Sequence, residues 1–555
     1  MEKRTIIALV LIFVVFLISN ELIWKKQNQT KNQIEPKPQV SEPKTRSKDT
    51  VPDKEKKLEV VQPEATVNDS SIIMSSNVKE RNDLTLGNKQ MKLVFTNRGA
   101  LVNSILLLDY YQSDKQTIVN LLPPERKLMK IELQNIGSVA YDLNNSLFEY
   151  QYMNNDNTIS FQLNTKAGKI IKRYSLINEH QIEFNFYIEN AANIRGYKIV
   201  WDNGIAETEK FIKRKDDDFR IFAEVNNEID DFKLSKLKKE AQEKSGDIDW
   251  AVLRSKYFLM GIIPDDLIFS EKLSAYPISY TKGNKRLFSP AINLSVANKN
   301  QKIDDSYELY FGPLIMENLQ KFNNGIEECV PMGPGFLQWI SKLFLKVFKL
   351  LDNFIPNMGL AIIVFAIIIK TLLFPLTHKS FEASTKMKKI QPKMQAIKEK
   401  YKHDPRLMQK ETSKLYKEEG VNPLGGCLPL LIQLPILISL YPILRYSITI
   451  RQESFFWLSD LSEPDPYLIL PIAMALFMIL QQKLMAPSSA EKEEMDEKQQ
   501  AAMQSQKIMM YVMPVVLFFI FKSLSAGLVL YYTMFNVISI FQQILIKKKF
   551  KAAKS

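Results

Sequence analysis

A single lysine interrupts one of the most apolar stretches of this chain. The run Gly359–Leu376 contains only aliphatic, aromatic, glycine and proline residues apart from Lys370 and Thr371. A charged side chain near the centre of a bilayer costs roughly 2.5–3.5 kcal/mol on insertion scales, so such residues usually face a water-filled cavity or a protein partner. An ammonium group in a cavity binds carboxylates. Lys370 is therefore the first candidate for a binding site.

A second interpretation of Lys370 stays open on spacing alone. The polar segment Thr377–Lys379 begins about seven residues later, which is roughly 10 Å along a helix that rises 1.5 Å per residue. A long lysine side chain can extend over such a distance to the membrane interface. The local sequence does not decide between a cavity and the interface.

Amides and hydroxyls also occur inside other apolar stretches. Gln433 lies in one of them, and the pair Gln481-Gln482 in another. The last stretch carries polar residues at intervals of three and four, on one helix face: Tyr532, Asn536, Ser539 and Gln543. Each amide by itself is explained by a hydrogen bond between helices. Together with Lys370, they predict a shared hydrated cavity.

Enzyme signatures are mostly absent from the sequence. The composition allows a Ser-Lys dyad protease, but no feature marks one serine as its nucleophile. The sequence contains three histidines, His180, His378 and His403, and no two have the spacing of metal ligands on a helix. No P-loop or dinucleotide-binding glycine pattern occurs. The two cysteines, Cys329 and Cys427, are not expected to form a disulfide or hold a metal. We expect no catalytic residue, cofactor or metal ion.

The amino-terminal segment predicts a membrane anchor. A basic Lys3-Arg4 pair precedes the apolar stretch Thr5–Trp24, a pattern typical of a signal peptide or a signal anchor. No small-x-small cleavage site follows, and Trp24 beside two lysines is typical of a membrane interface. Residues 1–24 are therefore predicted to be an uncleaved transmembrane anchor. Residues 25–74, rich in Lys, Glu, Gln, Pro and Ser, are predicted to be a disordered tether.

The region 75–328 shows the period-two alternation of strands. Examples are Thr158–Asn164, Gln181–Tyr187 and Ala291–Val296, which are separated by segments with Asn, Asp and Gly. Apolar and polar residues that alternate over this length predict an antiparallel β-sandwich.

The period changes to that of a helix in the segment 329–356. Apolar residues share one predicted face: Phe336, Leu337, Ile340, Leu343, Phe344, Val347, Leu351 and Phe354. Three lysines lie elsewhere on the helix. This pattern predicts an amphipathic helix in the membrane interface. A soluble helix packed on the sandwich is the alternative.

Five further stretches have about the length that crosses 30 Å of hydrocarbon. They are residues 357–377, 427–449, 467–485, 508–523 and 527–546. With the anchor, they predict six spans within a polytopic α-helical membrane protein, whose core covers residues 357–549. The stretch 508–523 is the weakest of the six.

Basic residues predict the orientation of these spans. Twelve lysine and arginine residues lie between Lys379 and Lys417, and the tail that includes residues 550–555 is also basic. Such segments stay in the cytoplasm. Six crossings then place both termini in the cytoplasm and the β-domain on the other side.

The basic segment 379–420 predicts a cytoplasmic helical hairpin. Met387, Ile390, Met394, Ile397 and Tyr401 form the apolar stripe of its first arm. Asp404-Pro405 has the pattern of a helix start, and Gly420 that of a helix end. Pro392 is expected to kink the first arm. The lysines either solvate an exposed face or contact a ribosome or anionic lipid.

Several motifs carry a resemblance to a known family. They are residues 386–393, the segment 415–436 with Asn422-Pro-Leu-Gly-Gly-Cys427, Arg451-Gln452, Asp460-Leu-Ser462 with Asp465-Pro466, and Gly527–Tyr532. On these residues the chain resembles the YidC family of bacterial membrane protein insertases, densely over about 330–550. One anchor followed by a large β-domain resembles the Gram-negative form of the family.

This resemblance implies a five-helix core with a hydrophilic groove that is closed toward the periplasm, and a periplasmic supersandwich domain. With the residues above, it implies a substrate groove formed by Lys370, Gln433, Gln481, Tyr531, Tyr532 and Asn536. It implies that the cytoplasmic hairpin contacts its partners through Lys386, Lys388, Lys389, Gln391, Pro392 and Lys393. The family usually has an arginine in the groove where this chain has Lys370. The charge is kept, but the planar fork of donors is lost.

We therefore expect an inner-membrane insertase and chaperone, not an enzyme, that acts alone or with the Sec translocon. The expected partners are nascent membrane proteins, the Sec translocon, the ribosome and anionic lipid. The excess of positive charge, +13, is not expected to bind nucleic acid sequence-specifically. A solute transporter that binds an anion at Lys370 is the alternative. Transporters commonly contain internal repeats, but the sequence has no second copy of the Lys370 span. A receptor built on the β-domain is a third interpretation, but such a protein would not require the basic hairpin.

Overall fold

The computed structural model describes residues 78–135, 142–153, 155, 157–165, 168–210, 218–265, 268–283, 285–421, 428–485 and 511–552. The predicted anchor and tether lie outside these residues. So do residues 422–427, which form the Asn-Pro-Leu-Gly-Gly-Cys motif.

The first half of the described chain consists mainly of strands that pair antiparallel. They are β1 Leu84–Gly87, β2 Met91–Thr96, β3 Leu101–Tyr111, β4 Ile118–Asn120, β5 Lys130–Asn135, β6 Glu149–Met153, β7 Thr158–Thr165, β8 Gly168–Leu176, β9 Gln181–Ile188, β10 Ile194–Trp201, β11 Arg220–Val225, β12 Glu228–Lys233, β13 Gln242–Ser245, β14 Ile248–Arg254, β15 Phe258–Pro264, β16 Ser270–Lys282, β17 Lys285–Ala297 and β18 Ile303–Pro313.

These strands form three sheets. Their strand orders are β1-β2-β3-β4, β13-β16-β17-β10-β5 and β12-β11-β14-β15-β18-β9-β8-β7-β6. The long β16–β17 hairpin pairs Lys282 with Lys285 at its tip, whereas β18 pairs with β9, which lies far earlier in the chain. The β18–β9 pair joins distant parts of the chain within the largest sheet.

Alternating side chains fill the core between the sheets. Along β7, Ile159, Phe161 and Leu163 are buried while Ser160, Gln162 and Asn164 are less so, because successive residues of a strand face opposite sides. The ring of Phe95 on β2 lies 4.9 Å from that of Tyr174 on β8, which joins the smallest sheet to the largest. The three alternating segments noted in the sequence lie in β7, β9 and β17, as predicted.

The second half of the chain is helical. With two short helices of the β-domain, the described helices are α1 Leu234–Leu237, α2 Met316–Leu319, α3 Gln338–Phe354, α4 Met358–Leu372, α5 Phe374–Lys400, α6 Pro405–Glu418, α7 Leu428–Tyr446, α8 Ile469–Met485, α9 Tyr511–Phe521 and α10 Ala526–Ala552. Short 3-10 helices cover Gln320–Phe322, Ile326–Cys329, Gly335–Leu337 and Ile448–Ile450.

Helix α10 lies at the centre of the helical part and packs against α4, α7 and α8. Helix α3 packs through Phe344 and Phe348 against Phe365 of α4, with ring centroids 5.1 and 4.5 Å apart. The predicted apolar face of α3 is only partly buried, because Phe336 and Phe354 are exposed whereas Phe348, outside that face, is buried. The apolar face of α3 is wide, and only the edge with Phe344 and Phe348 is buried, whereas Leu343 and Leu350 are exposed. The sequence alone did not define which part of this face packs.

The described helices include one, Ala526–Ile546, that is long and apolar enough to cross a membrane unbroken. The pair Met358–Leu372 and Phe374–Ser380 qualifies together but is bent by 57°. The other apolar helices are shorter: Ile432–Tyr446, Ile469–Leu484 and Tyr511–Phe521. The predicted total of six spans is therefore not confirmed by these helices.

Candidate functional site

A cavity lies where the bend between α4 and α5 meets α7, α8 and α10. Its volume is about 70 Å3, which is room for several water molecules. The lining combines one lysine with amides, hydroxyls and apolar groups: Lys370, Leu373, Leu376, Thr377, Ser380, Ile432, Gln433, Gln481, Phe535, Ser539 and Gln543. The cavity is thus polar but has no acidic residue in its described lining.

Lys370 points into this cavity and not outward. Only 4% of the residue is exposed, whereas a lysine that reached the interface along the outer helix surface would be largely exposed. Its Nζ lies 3.4 Å from the centroid of the Phe535 ring on α10. Lys370 forms no ion pair with any residue that the structure describes. The geometry favours the cavity over the interface for this side chain.

The helix that carries Lys370 ends two residues after it. Lys370 lies in the last turn of α4, where a cation interacts favourably with the partial negative charge of the helix end. Its carbonyl oxygen accepts a hydrogen bond of 3.3 Å from the Gln542 Nε2 of α10. The chain then bends by 57° into α5. This bend brings Thr377 and Ser380 into the lining, because both lie on the first turns of α5.

Several amide groups around the cavity lack a partner within the described chain. The Asn536 Nδ2 and the Gln543 Oε1 are buried without a hydrogen bond, and the buried amide of Gln433 has the Tyr531 hydroxyl as its polar neighbour. Burial of an amide without a hydrogen bond costs about 1–3 kcal/mol on protein scales. Such groups therefore favour water or a polar ligand between α7 and α10.

The structure brings three of the six predicted groove residues into the lining, namely Lys370, Gln433 and Gln481. Tyr531, Tyr532 and Asn536 are not in it. Tyr531 packs near the ring of Phe365, at 6.0 Å, and Tyr532 lies 5.1 Å from the ring of Phe521. The predicted stripe on α10 runs past the cavity, so its later members, Ser539 and Gln543, line the cavity instead.

Sequence reasoning missed two kinds of lining residue. Phe535 carries no signal in the sequence, because it is one apolar residue within an apolar stretch. Thr377 and Ser380 lie at the end of a predicted span and the start of the predicted hairpin. Their place in the lining depends on the bend after α4.

The predicted hairpin consists of α5 and α6. Asp404 caps α6 by accepting hydrogen bonds from the backbone N–H groups of Arg406 and Leu407. Helix α5 continues through Pro392, which is exposed. A small core joins the two arms, with Ile390, Leu415 and Val421 buried at its centre.

The basic residues of the hairpin are accessible where the structure describes them. Lys386 lies 3.2 Å from Glu382, and Lys393 lies 2.6 Å from Glu419 on the other arm. Both lysines are exposed. The side chains of Lys388, Lys389 and Gln391 lie outside the description. The two described lysines are therefore accessible to a partner.

Each half of the chain matches a known protein family. The family model described as "60Kd inner membrane protein" matches residues 350–554, and the one described as "YidC periplasmic domain" matches residues 83–347. The membrane protein insertase YidC of Chloroherpeton thalassium is 30% identical over 492 residues, which cover 81% of this chain and 80% of that protein. The chain belongs to the YidC family of membrane protein insertases.

Other YidC relatives agree with this assignment. The insertase of Chlorobium limicola is 28% identical over 83% of this chain and 82% of its own length. That of Geotalea daltonii is 33% identical over 71% of this chain and 72% of its own length. The chain is therefore an inner-membrane protein with a periplasmic β-sandwich domain and a helical carboxy-terminal core. These relatives are named as insertases and not as enzymes.

Proposed function

We propose that this chain inserts nascent inner-membrane proteins and that the cavity around Lys370 receives the short hydrophilic segment of each client. The observation that carries the proposal is a buried lysine without an anionic partner among the described residues, in a cavity lined by amides and hydroxyls. A client carboxylate would supply the missing partner. At an effective dielectric constant of about 20, two opposite charges about 4 Å apart attract by about 4 kcal/mol.

The polar cavity would also shorten the apolar distance that the client segment crosses. The groups around Gln433 would replace part of the water that the segment loses on leaving the cytoplasm. Transfer of the client's apolar helix into lipid, worth roughly 25 cal/mol per Å2 of apolar surface, would then drive release. This chain itself would need no nucleotide.

The proposed topology has six spans with both termini in the cytoplasm. It is supported by the bent pair that begins at Met358, by Ala526–Ile546 and by the basic residues of α5 and α6. The proposed domains are an anchor at 1–24, a tether at 25–74, a β-domain at 75–328, an interfacial helix at 329–356 and the core at 357–549.

The accessible lysines of the hairpin, including Lys386 and Lys393, would contact the ribosome or anionic lipid. Their exposure and positive charge support this part of the proposal. The chain would work both alone and beside the Sec translocon, and would act as a chaperone while client helices assemble. The lysine at position 370 supplies charge only, so recognition that needs the two-pronged geometry of arginine is not part of the proposal.

The test uses proteoliposomes that contain the full chain and two clients that differ only in their translocated tail, one acidic and one neutral. Lys370→Glu should lower insertion of the acidic-tailed client by about tenfold or more, because repulsion replaces attraction. Lys370→Arg should retain insertion because it keeps the charge. If Lys370→Glu inserted both clients as efficiently as the wild type does, the electrostatic role would be refuted.

A further inference from the structure

The contact of Lys370 with an aromatic ring is unusual among the lysines of the helical part. Its Nζ lies 3.4 Å from the centroid of Phe535, closer than Lys522 lies to Phe519, at 4.8 Å. Lys370 is 4% exposed, so the contact is largely shielded from bulk water. A lysine ammonium within about 6 Å of a ring centroid is attracted by the negative face of the ring, and desolvation strengthens this attraction.

The remainder of the lining offers Lys370 no competing charge. The described lining contains hydroxyls and amides but no carboxylate. The attraction between ring and cation leaves the net positive charge in place, whereas a carboxylate would neutralise it. The cavity therefore holds a cation that is positioned and still available.

The ring itself is held by its neighbours on α10. Phe535 lies nearly parallel to Tyr532, with 13° between the ring planes and 6.3 Å between centroids. Its centroid lies 6.0 Å from that of Tyr531. Tyr531 in turn lies 6.0 Å from Phe365 of α4, the helix that carries Lys370. This series of rings ties the position of Phe535 to that of α4.

We propose that Phe535 is a positioning residue that holds the Lys370 ammonium toward the cavity without neutralising it. The inference rests on the proposed function of Lys370 as the groove cation and names what prepares that cation for its client. An incoming carboxylate would draw the ammonium from the ring, which the flexible four-carbon stem of lysine permits. Tyr531 and Tyr532 then act through Phe535 and not through the client.

The experiment measures insertion of the acidic-tailed and neutral-tailed clients by the full chain in proteoliposomes. The variants are Phe535→Leu, Phe535→Tyr, Lys370→Met and the double variant Phe535→Leu/Lys370→Met. Phe535→Leu should lower the insertion rate of the acidic-tailed client by about threefold to tenfold, and that of the neutral-tailed client by a clearly smaller factor. Phe535→Tyr keeps a ring face and should therefore insert the acidic-tailed client at about the wild-type rate. In the Lys370→Met background, Phe535→Leu should cause no further loss.

Each alternative result has a separate meaning. A defect in Lys370→Met together with wild-type rates in Phe535→Leu would overturn the role of Phe535 and keep that of Lys370. Wild-type rates in Lys370→Met would overturn the proposed groove cation and the inference with it. Equal losses for both clients in Phe535→Leu would indicate a packing role and overturn the inference, as would a lack of rescue by Phe535→Tyr.

Discussion

Arg451 and Glu209 form a buried ion pair between the helical core and the β-domain. The Arg451 Nε lies 2.8 Å from the Glu209 Oε1, and the side chains are only 2% and 6% exposed. Arg451 also donates a hydrogen bond of 2.6 Å to the carbonyl oxygen of Tyr111. A second pair, Arg445 with Asp218, joins the same two parts at 2.8 Å. The two parts are thus held together by paired charges away from water.

Removal of one partner from this interface should be costly. Glu209→Ala leaves the Arg451 charge buried and unpaired, so the free energy of unfolding should fall by about 3–5 kcal/mol. The matched control is Glu80→Ala, which removes the exposed pair of Glu80 with Arg98. That control should cost much less, because water and salt screen an exposed ion pair. Pulse proteolysis in detergent measures both changes, and equal losses would contradict the buried role.

Lys172 should make the stability of the β-domain depend on pH. Burial lowers the pKa of Lys172 from its ordinary 10.5 to about 7, and its Nζ donates to the carbonyl oxygens of Gly99 and Met129. Between these values the unfolded chain binds the additional proton, so stability rises as the pH rises from about 7 to about 10, by at most about 1.4 kcal/mol per unit.

The test compares unfolding free energies at pH 7 and pH 9 for the wild type, Lys172→Met and Lys169→Met. Lys169 lies exposed on the same strand. Lys172→Met should lose the rise with pH, whereas Lys169→Met should retain it. An unchanged pH slope in Lys172→Met would show that another group titrates.

Gly359 should not tolerate a side chain. A Cβ at this position would lie 2.3 Å from the Phe455 Cδ2, which is closer than any normal contact. Gly359→Ala should therefore destabilise the protein by about 1–3 kcal/mol, because the ring or the start of α4 must shift. At Gly335, a Cβ would meet nothing within 4 Å. Thermal unfolding should show little change for Gly335→Ala, and a similar loss in both variants would argue against the steric cause.

The cap of α6 should control order at the tip of the hairpin. Asp404 accepts hydrogen bonds of 3.0 and 3.1 Å from the backbone N–H groups of Arg406 and Leu407. Asp404→Ala should destabilise the helix start by about 0.5–2 kcal/mol, and Asp404→Asn should retain most of the cap. Hydrogen exchange at Leu407 should become faster in the alanine variant alone. Exchange that is equally fast in both variants would show that the negative charge and not the cap matters.

Cross-linking should distinguish the residues of the cavity from those packed beside it. A photoreactive residue at Gln433 or Gln481 should cross-link to a stalled nascent client, because both positions line the cavity. The same residue at Tyr532 should give weaker cross-links, since that ring packs against Phe521 and Phe535. Stronger cross-linking from Tyr532 than from Gln433 would place the client on the other side of α10.

Local patterns in the sequence predicted much of the architecture. The alternation of apolar and polar residues marked β7 and β9, because one face of each strand is buried in the sandwich. Asp404 marked the start of α6, because a cap depends on residues only a few positions apart. The order of strands in the sheets had no such signal, since β18 pairs with β9 across more than a hundred residues.

The sequence by itself determined the family, the division into a strand-rich half and a helical half, and the presence of a lysine in an apolar stretch. Only the tertiary structure decided where that lysine points. The rotation of a helix about its axis depends on the side chains that pack against it, and those of α10 lie far from α4 in the sequence. That packing placed Phe535 beside Lys370 and left Tyr532 outside the lining. Periodicity defines the faces of a helix, but only contacts between distant segments decide which face meets the cavity.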